Sequence, residues 1–404
     1  MGEIMNSEFD NLIRKYISPT LTVYTGWVVS EAERLGIKHL FFLARDGYQM
    51  YHIAKQKYSS IECSYFYCSR YALRMAAYRF LDDSAYNKLF IPSFRLTAAN
   101  MLKRADLDKD ERMLIYDEIG FSGDENAVMG RKEFAIFCER VRNSVIFNDI
   151  LKSRSDLAYS FIVEYIRQEG MADLDSIGIV DLGWTGSLQH TLRRLLDSMG
   201  VKAELHGFYM GMLTRPPEVS SNEYHTWLFS EKNADIIAWF SHNLIECICS
   251  APHGMTIGYT KHEGKVVPVM ADNENDTSVA ERIKSITLSY DLKNRKVYDP
   301  QYRVIALNLL HKLMFSPSVS ETETLKGYNF CDDVGEQYHR GIVQDIRNIE
   351  LVKEILPFKL FCIDSADGLY WYYGTLAASS APCKSLWKYG YYLTRRLISL
   401  IRQG

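Results

Sequence analysis

The chain has 404 residues, of which 47% are hydrophobic and 24% charged, with a net charge of −3. That length holds one large domain or two around a sizeable core, and the near balance of charge excludes a global basic surface for nucleic acid. No apolar run approaches the length of a membrane-spanning helix, and residues 1–14 carry acids without the apolar centre of a signal peptide. The eight cysteines are scattered, with Cys247 and Cys249 as a lone C-x-C pair. They read as reduced, cytoplasmic thiols rather than a disulfide frame or a zinc site.

In chain order, Leu21, Tyr24, Val28, Ala32 and Leu35 share one helical face, and Gly36 is placed to stop that helix. His39–Ala44 reads as a buried strand, followed by the charged turn Arg45-Asp46-Gly47 and a helix through Met50, Ile53 and Ala54. Ile61–Cys68 is a second strand, ending in Ser69-Arg70. Residues 78–156 are polar and charged, with the firmest helical patterns over Lys109–Glu118 and Arg131–Arg142, and read as a helical insertion. The first order of elements then repeats. A helix through Phe161–Arg167 leads to a strand over Ile177, Ile179 and Val180 that ends in Asp181. The turn Gly183-Trp184-Thr185-Gly186-Ser187 follows, then a helix marked by Leu188, Leu192, Leu195 and Met199, then a strand over Ala203–Met210. Two such units predict an α/β core, residues 1–77 and 157–260, with an open, mostly parallel Rossmann-like sheet and helices on both faces. In such sheets ligands bind beyond the carboxyl ends of the strands, where both turns belong.

Residues 261–404 are expected to be mainly helical, with a hairpin turn at Glu263-Gly264-Lys265, a surface loop over Asp272–Thr277 and helices over Val279–Arg347. Lys384–Gly404 holds five basic residues and no acid, and Leu386, Tyr389, Leu393, Leu397, Leu400 and Ile401 fall on one helical face. Such a helix can lie on an anionic membrane as a peripheral contact or dock on its own domain.

The chemistry sits at the turns. Asp46 and Asp181 are suited to a divalent cation, Arg45 and Arg70 to a diphosphate, and the Thr185–Ser187 turn, where Thr185 or Ser187 can cap the next helix, to a terminal phosphate. Glu246 stands in an apolar stretch, where an ionised carboxylate needs a partner or a task, and Pro252-His253-Gly254 places a histidine on a loop. Each feature alone is also what an ordinary capped turn, a paired core acid or a surface histidine would give. No Walker loop, G-x-G-x-x-G turn or G-x-S-x-G motif is present.

Leu40–Gly47, Tyr67-Cys68-Ser69-Arg70, Val180–Gln189, and Glu246 with Ala251–Gly254 together resemble the glycan phosphoribosyltransferase module of bacterial ribofuranosyltransferases, in that family's order and across residues 40–259. The resemblance implies a phosphoribosyltransferase fold and a 5-phosphoribosyl-1-diphosphate (PRPP) donor used with Mg²⁺. It also implies a sugar hydroxyl of a lipid-linked surface glycan as acceptor, and a separate HAD-like (haloacid-dehalogenase-like) phosphatase to remove the 5-phosphate. Carried onto this chain, Asp181, Gly183, Trp184, Thr185, Gly186 and Ser187 would hold the ribose and its 5-phosphate. Arg45, Asp46, Gly47, Ser69 and Arg70 would face the diphosphate, with Asp46 and Asp181 on the metal. Glu246 or His253 would meet the acceptor, and Glu246, His253 and Asp46 stand as alternative general bases. Leu182 departs from the two adjacent acids usual in phosphoribosyltransferases. A nucleotide-sugar glycosyltransferase and a non-catalytic phosphosugar-binding scaffold are the rival readings.

Overall fold

The fold was established from a computed structural model, which describes residues 2–90, 96–215, 223–272, 277–291, 300–330, 340–356 and 369–402. Helix α1 (Gly2–Leu12) runs through a π-helical turn, Ile13–Ile17, into α2 (Ser18–Arg34), which ends at Gly36 in the left-handed region (φ 75°). There follow β1 (His39–Leu43), α3 (Tyr48–Lys57), β2 (Glu62–Phe66) and α4 (Arg70–Ala77). The insertion supplies α5 (Asp83–Leu89), α6 (Ala98–Lys103), α7 (Lys109–Ile119) and α8 (Arg131–Asn143). Helix α9 (Val145–Gln168) leads back to β3 (Ser176–Trp184), α10 (Ser187–Ser198), β4 (Glu204–Met212) and β5 (Tyr224–Phe229).

The five strands form one sheet in the order β2-β1-β3-β4-β5, and every neighbouring pair is parallel. Burial on both sides explains the near-continuous apolar runs of β1 and β3. Alternate residues part to opposite faces. Leu40, Phe42, Val180, Leu182, Phe208 and Met210 join a core with α2 and α3, while Phe41, Leu43, Ile177, Ile179 and Leu205 join one with α4, α9 and α10. The strand order turns back between β1 and β3, so the crevice of this doubly wound sheet opens at the carboxyl ends of those two strands.

Two expected boundaries are not breaks in the structure. Helix α9 crosses residue 157 without interruption: Leu151 belongs to the separate core of the insertion, and Ile162, Tyr165 and Ile166 belong to the sheet. Residue 261 lies inside β6 (Thr256–His262), which pairs antiparallel with β7 (Lys265–Met270) around the expected Glu263-Gly264 turn. Before that hairpin come α11 (Ala234–Trp239) and α12 (His242–Cys249).

The C-terminal region continues the α2 side of the core through α13 (Thr277–Leu288), α14 (Pro300–Phe315) and α15 (Val319–Leu325). A two-residue antiparallel pair, β8 (Asn329–Phe330) with β9 (Arg340–Gly341), interrupts the expected all-helical stretch. Residues 273–276 of the expected loop, and 292–299 and 331–339 of the expected helices, lie outside the described residues. The last elements are α16 (Asn348–Lys353), α17 (Tyr372–Ala378) and α18 (Lys384–Ile401).

Helix α18 runs unbroken through Gly390. It docks by Tyr391, whose ring stacks on Tyr372 at 3.8 Å, and by Arg395, which donates to the Ile237 carbonyl at 3.0 Å. Leu386, Tyr389, Leu393, Leu397, Leu400 and Ile401 all remain exposed. Among the described residues no helix is long and apolar enough to cross a membrane. The described cysteines, Cys63, Cys68, Cys138, Cys247, Cys249 and Cys383, are free thiols.

Candidate functional site

The crevice between β1 and β3 is a cleft that brings together Arg45, Asp46, Ser69, Arg70, Asp181, Gly183, Trp184, Thr185, Gly186, Ser187 and Glu246. Ala44, Cys68, Tyr71, Leu188, Tyr209 and Met255 complete its lining. Of the residues singled out in the sequence, Gly47 and His253 are not among those that line it.

Gly47 serves the turn itself. It precedes α3 with φ −69°, and a Cβ there would stand 2.6 Å from the Leu43 carbonyl oxygen and 2.9 Å from the Phe42 carbonyl carbon. Only a glycine lets the chain fold this tightly from β1 into α3, and that tight fold sets Arg45 and Asp46 at the strand end. Burial raises the Asp46 carboxyl pKa, against the opposing charges of Arg45 and Arg70.

Strand β3 does not end at Asp181. It stays paired with β4 as far as Trp184, because Gly183 (φ 117°) packs where a Cβ would meet the Gly211 carbonyl oxygen at 2.3 Å. Asp181 therefore sits within the strand, accepting a hydrogen bond from the Leu182 N–H at 2.9 Å, while Tyr24 donates to its carbonyl at 2.8 Å. Its carboxyl pKa is raised, first by burial and next by the charge of Asp46. The two carboxyls thus resist ionising together, the condition that a bound divalent cation relieves.

Trp184 adopts φ 79°, a left-handed conformation that costs a bulky residue on the order of 1–3 kcal/mol. Its ring packs against Phe229 and Phe240, and its indole N–H donates to the Glu246 carboxylate. The strain is thereby held by a link from β3 to α12, and it fixes the carboxylate of Glu246 at the cleft wall. This pairing spans 62 residues of sequence, which is why no local pattern announces it.

Neither Thr185 nor Ser187 occupies the cap position expected for it. The N-cap of α10 is Gly186 (φ 63°), which makes no side-chain cap bond. Thr185 Oγ1, from the residue before the cap, accepts a long hydrogen bond from the Ser187 N–H at 3.5 Å. The cause is Tyr224, whose ring would lie 2.5 Å from a Cβ at position 186. With the cap position left to glycine, the N–H groups that follow Ser187 in the first turn of α10 receive no bond from an N-cap side chain, an arrangement that suits a phosphate. Ser69 is less available: its hydroxyl donates to the Thr256 carbonyl at 2.6 Å and accepts from the Ala72 N–H at 3.0 Å, so it caps α4 and ties that helix to β6.

His253 is not among the residues that line the cleft. Its Nδ1 lies 2.9 Å from the Gly254 carbonyl oxygen, so Nδ1 carries the proton and Nε2 accepts from the Tyr65 hydroxyl at 2.9 Å. Burial lowers its pKa, the Gly254 bond opposes that, and the charge of Arg45 lowers it further, so the ring is neutral at pH 7 with both nitrogens engaged. Among the described residues no cluster of three or more His, Cys, Asp or Glu could ligate a metal. Asp46 and Asp181 fit Mg²⁺ in its usual manner, as one or two carboxylates completed by substrate phosphates and water.

No protein-family model matches the chain, and a search of curated proteins returns no match.

Proposed function

We propose that the protein is a glycan phosphoribosyltransferase, moving the 5-phosphoribosyl group of PRPP onto a sugar hydroxyl of a lipid-linked bacterial surface glycan. The observation that carries this reading is the convergence of two buried carboxyls with raised pKa values, Asp46 and Asp181, with Arg45, Arg70 and the glycine-capped start of α10 in one cleft. A metal-bridged diphosphate and a terminal phosphate need those three kinds of group, and they occur together here on the switch point of a parallel sheet.

In this reading Thr185–Ser187 and the first N–H groups of α10 hold the 5-phosphate, and Arg45 and Arg70 bind the diphosphate. Asp46 and Asp181 would hold Mg²⁺, which would supply positive charge to the leaving diphosphate. The C1–oxygen bond breaks with its electron pair passing to diphosphate, and the acceptor oxygen bonds to C1 from the opposite face, giving a β-linkage. Glu246 is the base, taking the hydroxyl proton, because it lines the cleft while His253 does not, and because Asp46, which also lines it, is assigned to the metal. The product keeps its 5-phosphate for a separate HAD-like phosphatase, and the apolar face of α18 meets the bilayer that carries the acceptor, on the cytoplasmic side.

Calorimetric titration of PRPP with and without Mg²⁺ tests this. Metal-dependent binding to wild type, weakened about 100-fold or more in Asp181→Asn, is expected. Binding of UDP- or CDP-sugars alone would replace the reading with a nucleotide-sugar enzyme, and binding of none of them would leave a scaffold.

A further inference from the structure

Tyr71 lines the cleft and has no part in the chemistry proposed for it. It stands on α4 directly after Arg70, half-buried, and its ring packs against the separate core of the helical insertion. Among the described residues its hydroxyl makes no hydrogen bond, whereas tyrosine hydroxyls set into protein ordinarily find a partner. Burial, with the charge of Asp106 next, pushes its pKa up to about 12, so the group keeps its proton and can donate at neutral pH.

Packing decides which end of a ligand this hydroxyl meets. Helices α4 and α10 cover the same face of the sheet, where Ala72, Leu73 and Ala76 share a core with Leu192, Leu195 and Leu196. Leu244, Ile245 and Ile248 anchor α12, and with it Glu246, in the core of the opposite face. Tyr71 is thus on the side of the cleft where α10 begins, away from the base. The insertion reaches that same turn: Lys88 donates to Thr191 Oγ1 at 3.3 Å, and Thr191 donates to the Ser187 carbonyl at 2.9 Å. The element that supports the Tyr71 ring therefore also touches the first turn of α10, whose Ser187 and Leu188 line the cleft with Tyr71.

We propose that Tyr71 is a binding residue of the cleft, its hydroxyl donating to a phosphate monoester seated at the start of α10, and that the insertion serves to hold it there. A phosphate monoester has three free oxygens, enough for the N–H groups of α10 and for a phenol approaching from α4. The assignment rests on reading the cleft as one for a phosphorylated ligand, in which this group is the 5-phosphate, but it needs neither the metal nor the transfer reaction.

The test is calorimetry of ribose 5-phosphate with divalent metal chelated. Wild type is expected to bind it with submillimolar affinity. Tyr71→Phe, which removes only the hydroxyl, is expected to bind it about tenfold more weakly, the loss of one hydrogen bond to a charged acceptor. Because that hydroxyl has no partner among the described residues, Tyr71→Phe should melt at the wild-type temperature, which a structural role for the hydroxyl would not allow. Equal affinities, a variant that melts lower, or no binding to wild type in the millimolar range overturns the proposal. Equal affinities beside intact Mg²⁺-dependent PRPP binding would strike this assignment and leave the transferase reading. Weaker ribose 5-phosphate binding in the variant, with no Mg²⁺-dependent PRPP binding in wild type, would do the reverse.

Discussion

The two strand-end turns share one element order and do opposite things with it. After β1 the chain turns at once, Gly47 pressed against the Leu43 backbone, and what it offers the cleft is side-chain charge, Arg45 and Asp46. After Asp181 the chain stays in the sheet for three more residues, the last two of them at positive φ, and then Thr185 and the left-handed Gly186 deliver the start of α10 with no cap bond from the N-cap side chain. The first turn presents ions and the second presents backbone donors. A repeated topology can therefore supply complementary halves of one site, with glycine serving sterics in the first half and backbone conformation in the second.

That contrast sets the ranking of glycine substitutions. Gly183→Ala should destabilise most, because it combines φ 117° with a Cβ 2.3 Å from a backbone oxygen, and we expect about 4 kcal/mol or failure to fold. Gly47→Ala meets backbone at 2.6 Å but at an ordinary φ, for about 3 kcal/mol. Gly36→Ala, with φ 75° and open space around it, should cost about 1 kcal/mol. Urea denaturation of the three gives the order, and a Gly47→Ala protein as stable as wild type would break the steric account of the first turn.

A smaller effect sharpens the electrostatic half. Asp46 and Asp181 hold their protons in the folded state above the ordinary carboxylate range, so the folded protein binds more protons than the unfolded chain across that window. Stability of the ligand-free protein should therefore fall as pH rises from the ordinary carboxylate range through the raised values. Asp181→Asn imitates the protonated form and should melt higher than wild type at pH 8, with the difference shrinking towards pH 5. Parallel melting curves across that range would mean that the two carboxyls ionise independently of folding.

Much of this was legible in the chain. Strands buried on both faces betray themselves as apolar runs, so β1 and β3 and the turns after them stand out. Strand β5 does not: Tyr224–Phe229 carries His225 and Thr226 at the sheet edge, where one side needs no strand partner, and no long apolar run marks it. The engagement of Ser69 by the Thr256 carbonyl and the grip of Glu246 on Trp184 are tertiary events between distant segments, invisible to spacing. In α18 the periodicity was plain, but periodicity names the apolar side without saying which side packs. The helix buries Tyr391, Thr394 and Ser399 and leaves its leucines outside.

The claim on which the account turns is that Asp46 and Asp181 act on one cation and one ligand. A double-mutant cycle on Mg²⁺-dependent PRPP binding, with Asp46→Asn, Asp181→Asn and the pair, tests it most directly. Shared work predicts that the double variant binds about as weakly as the worse single variant. Losses that add would place the two carboxylates at separate tasks and contradict the single site.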